Sequence, residues 1–298
     1  MMAGSFGERR NNRLAYMYTM PALLVMALVV LYPFIYNVVV SLSNMNLTRF
    51  RDWKITGIDN YISVFADRSF WYFLFKTGLW TVINVFFHVV IGVFLAIILN
   101  KDLKGRTFFR TILILPWAVP QYITALTWRG MFNSEYGAIS LILDKLFDLR
   151  VPWLTTEWGA FTACLITNIW LGFPFMMIIA LGALQSIPDT FYEAADIDGA
   201  SWYHKLKNIT IPLLKPVMIP AITLGVIWTF NNFNVVWLVS NGGEPSDTTH
   251  ILVSWVYKAG FTYFRMGYAA AFSMVIFGIL LIFSWNFIKK TKATEAIY

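Results

Sequence analysis

The chain has 298 residues, of which 58% are hydrophobic and only 13% charged. Soluble domains run at about 45–50% apolar and about 25% charged, so this balance excludes one or two water-soluble domains, disorder and coiled coil. Aromatic residues at 18% suit a lipid-facing chain with interfacial rings. The single cysteine, Cys164, excludes an intramolecular disulfide framework and any multi-cysteine metal site. The net charge of +7 is read as cytoplasmic loops facing anionic lipid rather than as a nucleic-acid surface.

A helix needs about 20 mostly apolar residues to cross the hydrocarbon. In chain order six segments qualify: 14–40, 77–99, 111–128, 158–184, 217–240 and 266–288. The first follows Arg9, Arg10 and Arg13, but it is too long for a secretory signal and five more spans follow. The expected fold is an all-α integral membrane protein with six transmembrane helices and both ends on one side. With the ends inside, inner loops and termini hold 13 of the 23 basic residues on the shorter loops, which favours cytoplasmic termini. The chain then divides into a cytoplasmic N-terminus (1–13), a membrane domain (14–288) and a cytoplasmic C-terminus (289–298). Outer loops carry Trp53, Tyr61, Trp71, Trp153 and Trp158 as interface anchors.

Ionisable groups inside a membrane are costly and mark function. Only His88 lies centrally in a span, and a neutral imidazole hydrogen-bonded within the bundle is the favoured reading. Lys76, Arg110, Arg129, Glu157 and Arg265 are expected at or beyond span ends. This lack of a carboxylate relay weakens proton coupling, and no catalytic constellation supports a membrane enzyme. There is no G-x-x-x-x-G-K-[ST] phosphate loop, so any ATP-driven work must come from a partner ATPase.

Neutral polar residues instead gather in two spans. The fourth contains Thr167, Asn168, Trp170, Leu171, Gly172, Phe173, Pro174 and Phe175. The fifth contains Trp228, Thr229, Phe230, Asn231, Asn232, Phe233 and Asn234. Amides exchange hydrogen bonds with hydroxyls and aromatic rings pack on the apolar faces of sugars, so the pair of clusters suits an uncharged polyhydroxylated ligand. Each residue alone reads equally well as interhelical glue. Gly172 and Pro174 are expected to loosen the fourth span, and Pro220 is a candidate kink in the fifth.

Residues 186–212 connect these two spans. Ser186 and Asp189 have capping-box spacing with Pro188 in the first turn, and Gly199 stands where the helix should end in a left-handed turn. Asp189, Glu193 and Asp196 fall on one stripe. A second short helix is expected over 201–208, with Ile211 and Pro212 closing the loop.

Glu193-Ala194-Ala195, three residues, Gly199, nine residues, then Ile209-Thr210-Ile211-Pro212 resembles the E-A-A-x3-G-x9-I-x-L-P loop of binding-protein-dependent ABC importer permeases. Ile211 in place of leucine is the one departure. Ile114 to Pro120, Trp170-Leu171-Gly172 and Asn231-Asn232-Phe233 with Asn241-Gly242-Gly243 extend the resemblance to the sugar-importer branch. They are most similar to the larger permease subunit of maltose/maltodextrin transporters, without the two extra N-terminal spans and large periplasmic domain found in some enteric forms.

The resemblance implies a type I ABC importer permease fold in the bacterial cytoplasmic (inner) membrane. It implies a second homologous permease, two copies of a cytoplasmic ABC ATPase and an extracytoplasmic sugar-binding protein, besides membrane lipid and no nucleic acid. This chain would not be an enzyme and would bind no cofactor, ATP and Mg belonging to the ATPase. Docking on the ATPase would involve Asp189, Glu193, Ala194, Ala195, Asp198, Gly199, Ile209 and Pro212. Sugar contacts would fall on Asn168, Leu171, Gly172, Phe175, Gly225, Trp228, Thr229 and Asn232. Phe175 replaces a tyrosine, Trp228 a phenylalanine and Thr229 an asparagine, so the sugar expected is maltose, maltodextrin or a related oligosaccharide. An ion-coupled secondary sugar carrier is the alternative.

Overall fold

The computed structural model describes residues 3–291. Residues 1–2 and 292–298, parts of the expected terminal segments 1–13 and 289–298, lie outside the described residues. In chain order the helices begin with α1 (Ala3–Met26), α2 (Tyr32–Ser41), α3 (Asp59–Ala66), α4 (Arg68–Asn100), α5 (Arg106–Ala118), α6 (Gln121–Met131) and α7 (Ala138–Phe147). They continue as α8 (Glu157–Gln185), α9 (Thr190–Ile197), α10 (Trp202–Lys205), α11 (Ile211–Phe230), α12 (Phe233–Val239), α13 (Leu252–Tyr257) and α14 (Met266–Thr291). Among the described residues the only β pairing is an isolated antiparallel bridge, Ser43–Ile55.

The described residues form two units, 3–67 with 259–275, and 68–258 with 276–291. In the first, α1 and α2 join through a wider π-helical turn at Ala27–Leu31. The residues expected as an N-terminal tail are therefore helical from Ala3 onward. Asn60 Nδ2 donates to the carbonyls of Ser41 (3.0 Å) and Ser43 (2.7 Å), which folds α3 back on the end of α2. Gly267 closes this unit: its N–H donates to Met45 O at 2.9 Å, and a Cβ there would lie 2.1 Å from Ser43 O.

Among the described residues five helical stretches are long and apolar enough to cross a membrane: 16–41, 68–100, 157–185, 202–230 and 266–287. The expected third span, 111–128, is not one helix. It is α5 followed by α6, broken where Val119 turns extended (φ −76°, ψ 135°) before Pro120. Proline clashes with a helical residue before it and has no N–H to give back. The expected fifth span also ends early, since Asn231 and Asn232 interrupt the helix before α12.

Three further expectations are corrected. Lys76 is not at a span end, because α4 starts at Arg68, two turns before the expected Thr77; its side chain is fully buried. Its Nζ donates to Thr248 O at 2.8 Å and lies 3.2 Å from Glu157 Oε1. The rings of Tyr72, Trp158 and Phe161 surround it at 5.4, 5.1 and 4.8 Å. A buried cation persists where a carboxylate, a carbonyl and ring faces replace its water. Next, Gly172 and Pro174 do not break α8, which is continuous over 29 residues. Only the Trp170 carbonyl loses its helical partner to Pro174, and packing against α4 on the flank keeps the helix together. Finally, Ser186 is no N-cap. It ends α8, its hydroxyl donating to Ala183 O at 2.8 Å.

In the second unit the segment after α12 is held on α4. Leu252 N donates to Thr77 Oγ1 (2.9 Å), and Lys76 reaches Thr248 as above. His250 is the wedge of this segment. It is fully buried among Phe73, Trp237 and Trp255, with ring centroids at 5.5, 6.1 and 5.6 Å. Its Nδ1 is 3.0 Å from Ser254 Oγ. Gly243, at φ +99°, leaves the room it needs, since a Cβ would sit 2.0 Å from Nε2. Burial, with Lys258 nearby, pushes the imidazole down to about 4 against the weaker pull of Asp247.

The native ring is therefore neutral where the unfolded ring, with its ordinary value near 6.5, takes up a proton. Its contribution to stability is full above about pH 6.5 and is lost as pH falls toward about 4. Thermal unfolding of the detergent-purified protein between pH 7.5 and 4.5 should show this. His250→Gln should lower the midpoint at neutral pH and flatten its decline on acidification; parallel curves for the two proteins would contradict the account.

Candidate functional site

The second unit contains a cavity of about 650 Å³ walled by α4, α5, α6, α8, α11 and α12. All eight residues expected to contact sugar line it: Asn168, Leu171, Gly172 and Phe175 from α8, Gly225, Trp228 and Thr229 from α11, and Asn232 at the break. The fold brings these two distant segments together through one amide pair. Asn232 Nδ2 donates to Asn168 Oδ1 at 2.7 Å. Asn232 Oδ1 in turn caps α12, accepting from Val235 N at 3.3 Å. Asn168 is 3% exposed, and its Nδ2 has no hydrogen-bond partner. A buried donor without a partner costs roughly 1–3 kcal/mol, and the residue that bears it lines the cavity.

The wall behind Asn168 is set by His88. Its Nε2 lies 2.9 Å from the Asn168 carbonyl. A carbonyl only accepts, so Nε2 carries the proton and Nδ1 is the acceptor. The ring rests against Gly172, where a Cβ would lie 2.2 Å from His88 Cε1. Gly225 leaves similar room for the Met176 methyl, 2.6 Å from its Cβ position. Trp80 Nε1 donates to Thr229 O at 2.8 Å and anchors the end of α11.

Three rings line one side of the cavity. Phe175 is 5.1 Å from Trp228 and 6.3 Å from Trp117, at tilts of 59° and 43°. Trp117 and Trp228 are half exposed, at 52% and 50%. Four lining residues lie outside the eight expected sugar contacts: Trp117, Gln121, His88, expected as a neutral imidazole within the bundle, and Asn234, which belongs to the polar cluster of the fifth span. Trp117 and Gln121 flank the Val119–Pro120 break, and a proline pair inside an apolar run was the signal available for them.

The second expected constellation is also in the second unit. α9 is exposed, with Glu193 and Ala194 open and Ala195 half-buried. Asp189 stands at its N-cap without a side-chain bond, and Asp198 at its C-cap. Gly199 is left-handed at φ +73°. Ala200 N to Ala195 O (2.8 Å) and Gly199 N to Asp196 O (3.0 Å) form the paired bonds of a Schellman end. Ser201 then caps α10, accepting from His204 N. The expected separate helix over 201–208 is instead the start of one helical stretch, 202–230. Ile209 lies in its π-helical turn, and Pro212 lies in the first turn of α11 rather than closing a loop. Proline fits there because the widened turn leaves its missing N–H without consequence. Lys205 Nζ bonds Asp196 Oδ1 at 2.6 Å, and Tyr192 OH bonds Thr210 Oγ1 at 3.1 Å.

The family described as "Binding-protein-dependent transport system inner membrane component" matches residues 88–291, which hold both constellations. The chain belongs to that family. It is a multi-pass inner-membrane permease of the ABC importer type. It is 36% identical over 283 residues to the trehalose/maltose transport system permease protein MalF of Thermococcus litoralis, covering 94% of each chain. It is 37% identical over 299 residues to the galactooligosaccharides transport system permease protein GanP of Bacillus subtilis, covering 93% of this chain and 70% of that one. In fold it matches a bacterial ABC transporter involved in import of the acidic polysaccharide alginate, at a TM-score of 0.83 and 20% identity, covering 96% and 98% of the two chains.

The His88–Gly172 contact gives this permease a direct test. Gly172→Ala places a methyl inside the imidazole ring, and overpacking of this kind costs about 1–3 kcal/mol. Transport by the assembled importer should fall at least tenfold, and His88→Ala in the same chain should restore part of it. Full activity in the single variant would show that α4 and α8 can separate here at no cost.

Proposed function

We propose that this permease moves a neutral sugar of the maltose/maltodextrin class, or a related oligosaccharide, across the cytoplasmic membrane. One observation carries the reading: the cavity is lined by amides, Asn168 with its unpartnered Nδ2 among them, and by four aromatic rings, and its lining carries no carboxylate, lysine or arginine. A sugar hydroxyl or ring oxygen meets that donor, while the rings cover apolar sugar faces. The names of the relatives, trehalose/maltose and galactooligosaccharides permeases, agree in substrate class.

The working assembly pairs this chain with a second homologous permease, two copies of a cytoplasmic ABC ATPase and an extracytoplasmic sugar-binding protein. Both termini are cytoplasmic, with α5 and α6 together making the third of six crossings. α9 seats on the ATPase through Glu193 and the turn at Gly199, with Asp189, Ala194, Ala195, Asp198, Ile209 and Pro212 around it. ATP and Mg bind the ATPase, and this chain transmits the resulting motion. Closure of the ATPase pair shifts α9, and the bonds Lys205–Asp196 and Tyr192–Thr210 pass that shift to the helix over 202–230. The far end of that helix carries Trp228 and Thr229 beside the cavity, so rigid-body motion exposes the sugar to alternate sides.

Uptake by proteoliposomes containing the complete transporter tests the reading. Labelled maltodextrin should accumulate only with ATP inside and binding protein outside; accumulation driven by an ion gradient without ATP would overturn it. Glu193→Lys, or Gly199→Val at its left-handed position, should reduce transport more than tenfold and weaken ATPase association while the permease pair still purifies intact. Unchanged transport in both variants would remove α9 from coupling.

A further inference from the structure

A basic cluster in the second unit shares no residue with the cavity. Residues 101–110 carry Lys101, Lys104, Arg106 and Arg110 against one acid, Asp102. Arg106 and Arg110 are about one turn apart on α5, so their side chains leave the same face. They converge on the carboxamide of Gln185, the last residue of α8. With its oxygen turned toward them, Gln185 accepts from Nη2 of both arginines. The Nε of each is buried and has no partner among the described residues. Among the described residues neither guanidinium forms an ion pair.

Two full charges therefore share one neutral acceptor. A guanidinium offers a planar fork of N–H donors, and a single amide oxygen meets only a small part of two such forks. The start of α5 adds charge of the same sign, since a helix N-terminus is partially positive and Gly105 caps it with no side chain. The complement of such a pair is a phosphate, whose oxygens take charge-assisted bonds from both forks. Position decides what carries the phosphate. The membrane-long stretch 68–100 ends shortly before Arg106, and the stretch 157–185 ends at Gln185 itself, so the pair lies at a bilayer surface. Phe108, Phe109 and Ile112 of α5 are exposed beside it in the chain, and acyl chains can cover them. A free phosphate would leave that apolar surface bare.

We infer that Arg106 and Arg110, gathered by Gln185, bind the phosphate of an anionic phospholipid. The leaflet rests on the topology proposed above, which makes it the inner one. Gln185 suits this arrangement because an amide orients two guanidinium groups without cancelling their charge, whereas a carboxylate would satisfy them within the protein. A phosphate held by both arginines fastens the start of α5 to the end of α8, where the connection to α9 begins.

The test uses the complete transporter, purified in detergent and stripped of lipid. It is titrated with dioctanoyl phosphatidylglycerol, dioctanoyl phosphatidylcholine or inorganic phosphate, with binding read by native mass spectrometry and by the thermal unfolding midpoint. Phosphatidylglycerol should bind at least tenfold more tightly than phosphatidylcholine. Arg106→Gln with Arg110→Gln should weaken its binding at least tenfold, and Arg106→Lys with Arg110→Lys, which keeps the charge and loses the forks, should fall between. Where the double glutamine variant does not assemble, Gln185→Glu leaves both arginines in place, satisfies them internally and should show the same loss. Wild-type affinity for phosphatidylglycerol in these variants would overturn the site. Arginine-dependent binding of inorganic phosphate as tight as that of phosphatidylglycerol would overturn the lipid assignment. Loss of ATPase association with lipid binding unchanged would give the arginines to the ATPase instead. The leaflet is tested separately: Cys164 is buried, so Lys104→Cys supplies an accessible thiol. Its labelling by an impermeant reagent outside intact cells would overturn the inner leaflet and the proposed topology while leaving the lipid site standing.

Discussion

The close approach of α4 and α8 is the constraint on which the site depends. In lipid no hydrophobic force draws helices together, so contact rests on packing, and small residues let backbones approach. A Cβ at Gly92 would lie 2.7 Å from Met176 Cβ and 2.8 Å from Met177 N. One helical stretch away, Gly172 receives the His88 ring. With the two helices this close, Nε2 of His88 reaches the Asn168 carbonyl, and that bond fixes the ring and the turn of α8 that carries Asn168. Asn168 then meets Asn232, and Asn232 caps α12. The order of dependence runs from two glycines to a histidine, to an amide pair, to the cavity wall.

The helical stretch over 202–230 gives that wall a mechanical connection. Its 29 residues span about 43 Å at 1.5 Å per residue. One end is bonded to α9 through Lys205 and Thr210, and the other ends beside the cavity at Thr229, where Trp80 holds the carbonyl. A π-helical turn at Leu206–Thr210 and prolines at 212, 216 and 220 all fall within its first 19 residues, counted from α9. These are the places where the hydrogen-bond ladder is weakest. The last ten residues, 221–230, contain none of them. The turns beside the cavity therefore keep an unbroken ladder.

Much of this arrangement was legible in the sequence, and the failures have local causes. Long apolar runs announced the spans, because backbone polar groups in lipid leave little choice but helix. The eight expected sugar contacts do line one cavity, since polar and aromatic residues rarely share an apolar span without facing something. Gly199 ends α9 as its position indicated, because few other residues take φ +73° without strain. What the sequence concealed were effects of tertiary contact. Composition around 111–128 reads as one span, and only Pro120, which disfavours helix at Val119, marks the break locally. Ser186 has the spacing of a cap, yet α8 runs on until it uses that serine as its end. The Gln121–Asn234 bond joins residues 113 positions apart, which no local pattern reveals.

Lys76 shows how the same physics separates architecture from ligand. Its charge is buried, but Glu157, the Thr248 carbonyl and three rings are all built into the protein around it. The desolvation is met once, at folding, and the result pins the segment before α13 to α4. A charged ligand in the cavity would face that cost at every turnover, against walls that offer amides and rings and no opposite charge. Hydroxyls carry a far smaller desolvation cost than ions, and amides such as those lining the cavity can exchange hydrogen bonds with them. The charge of Lys76 is therefore kept where its partners are fixed, and the cavity is lined by groups whose hydrogen bonds exchange.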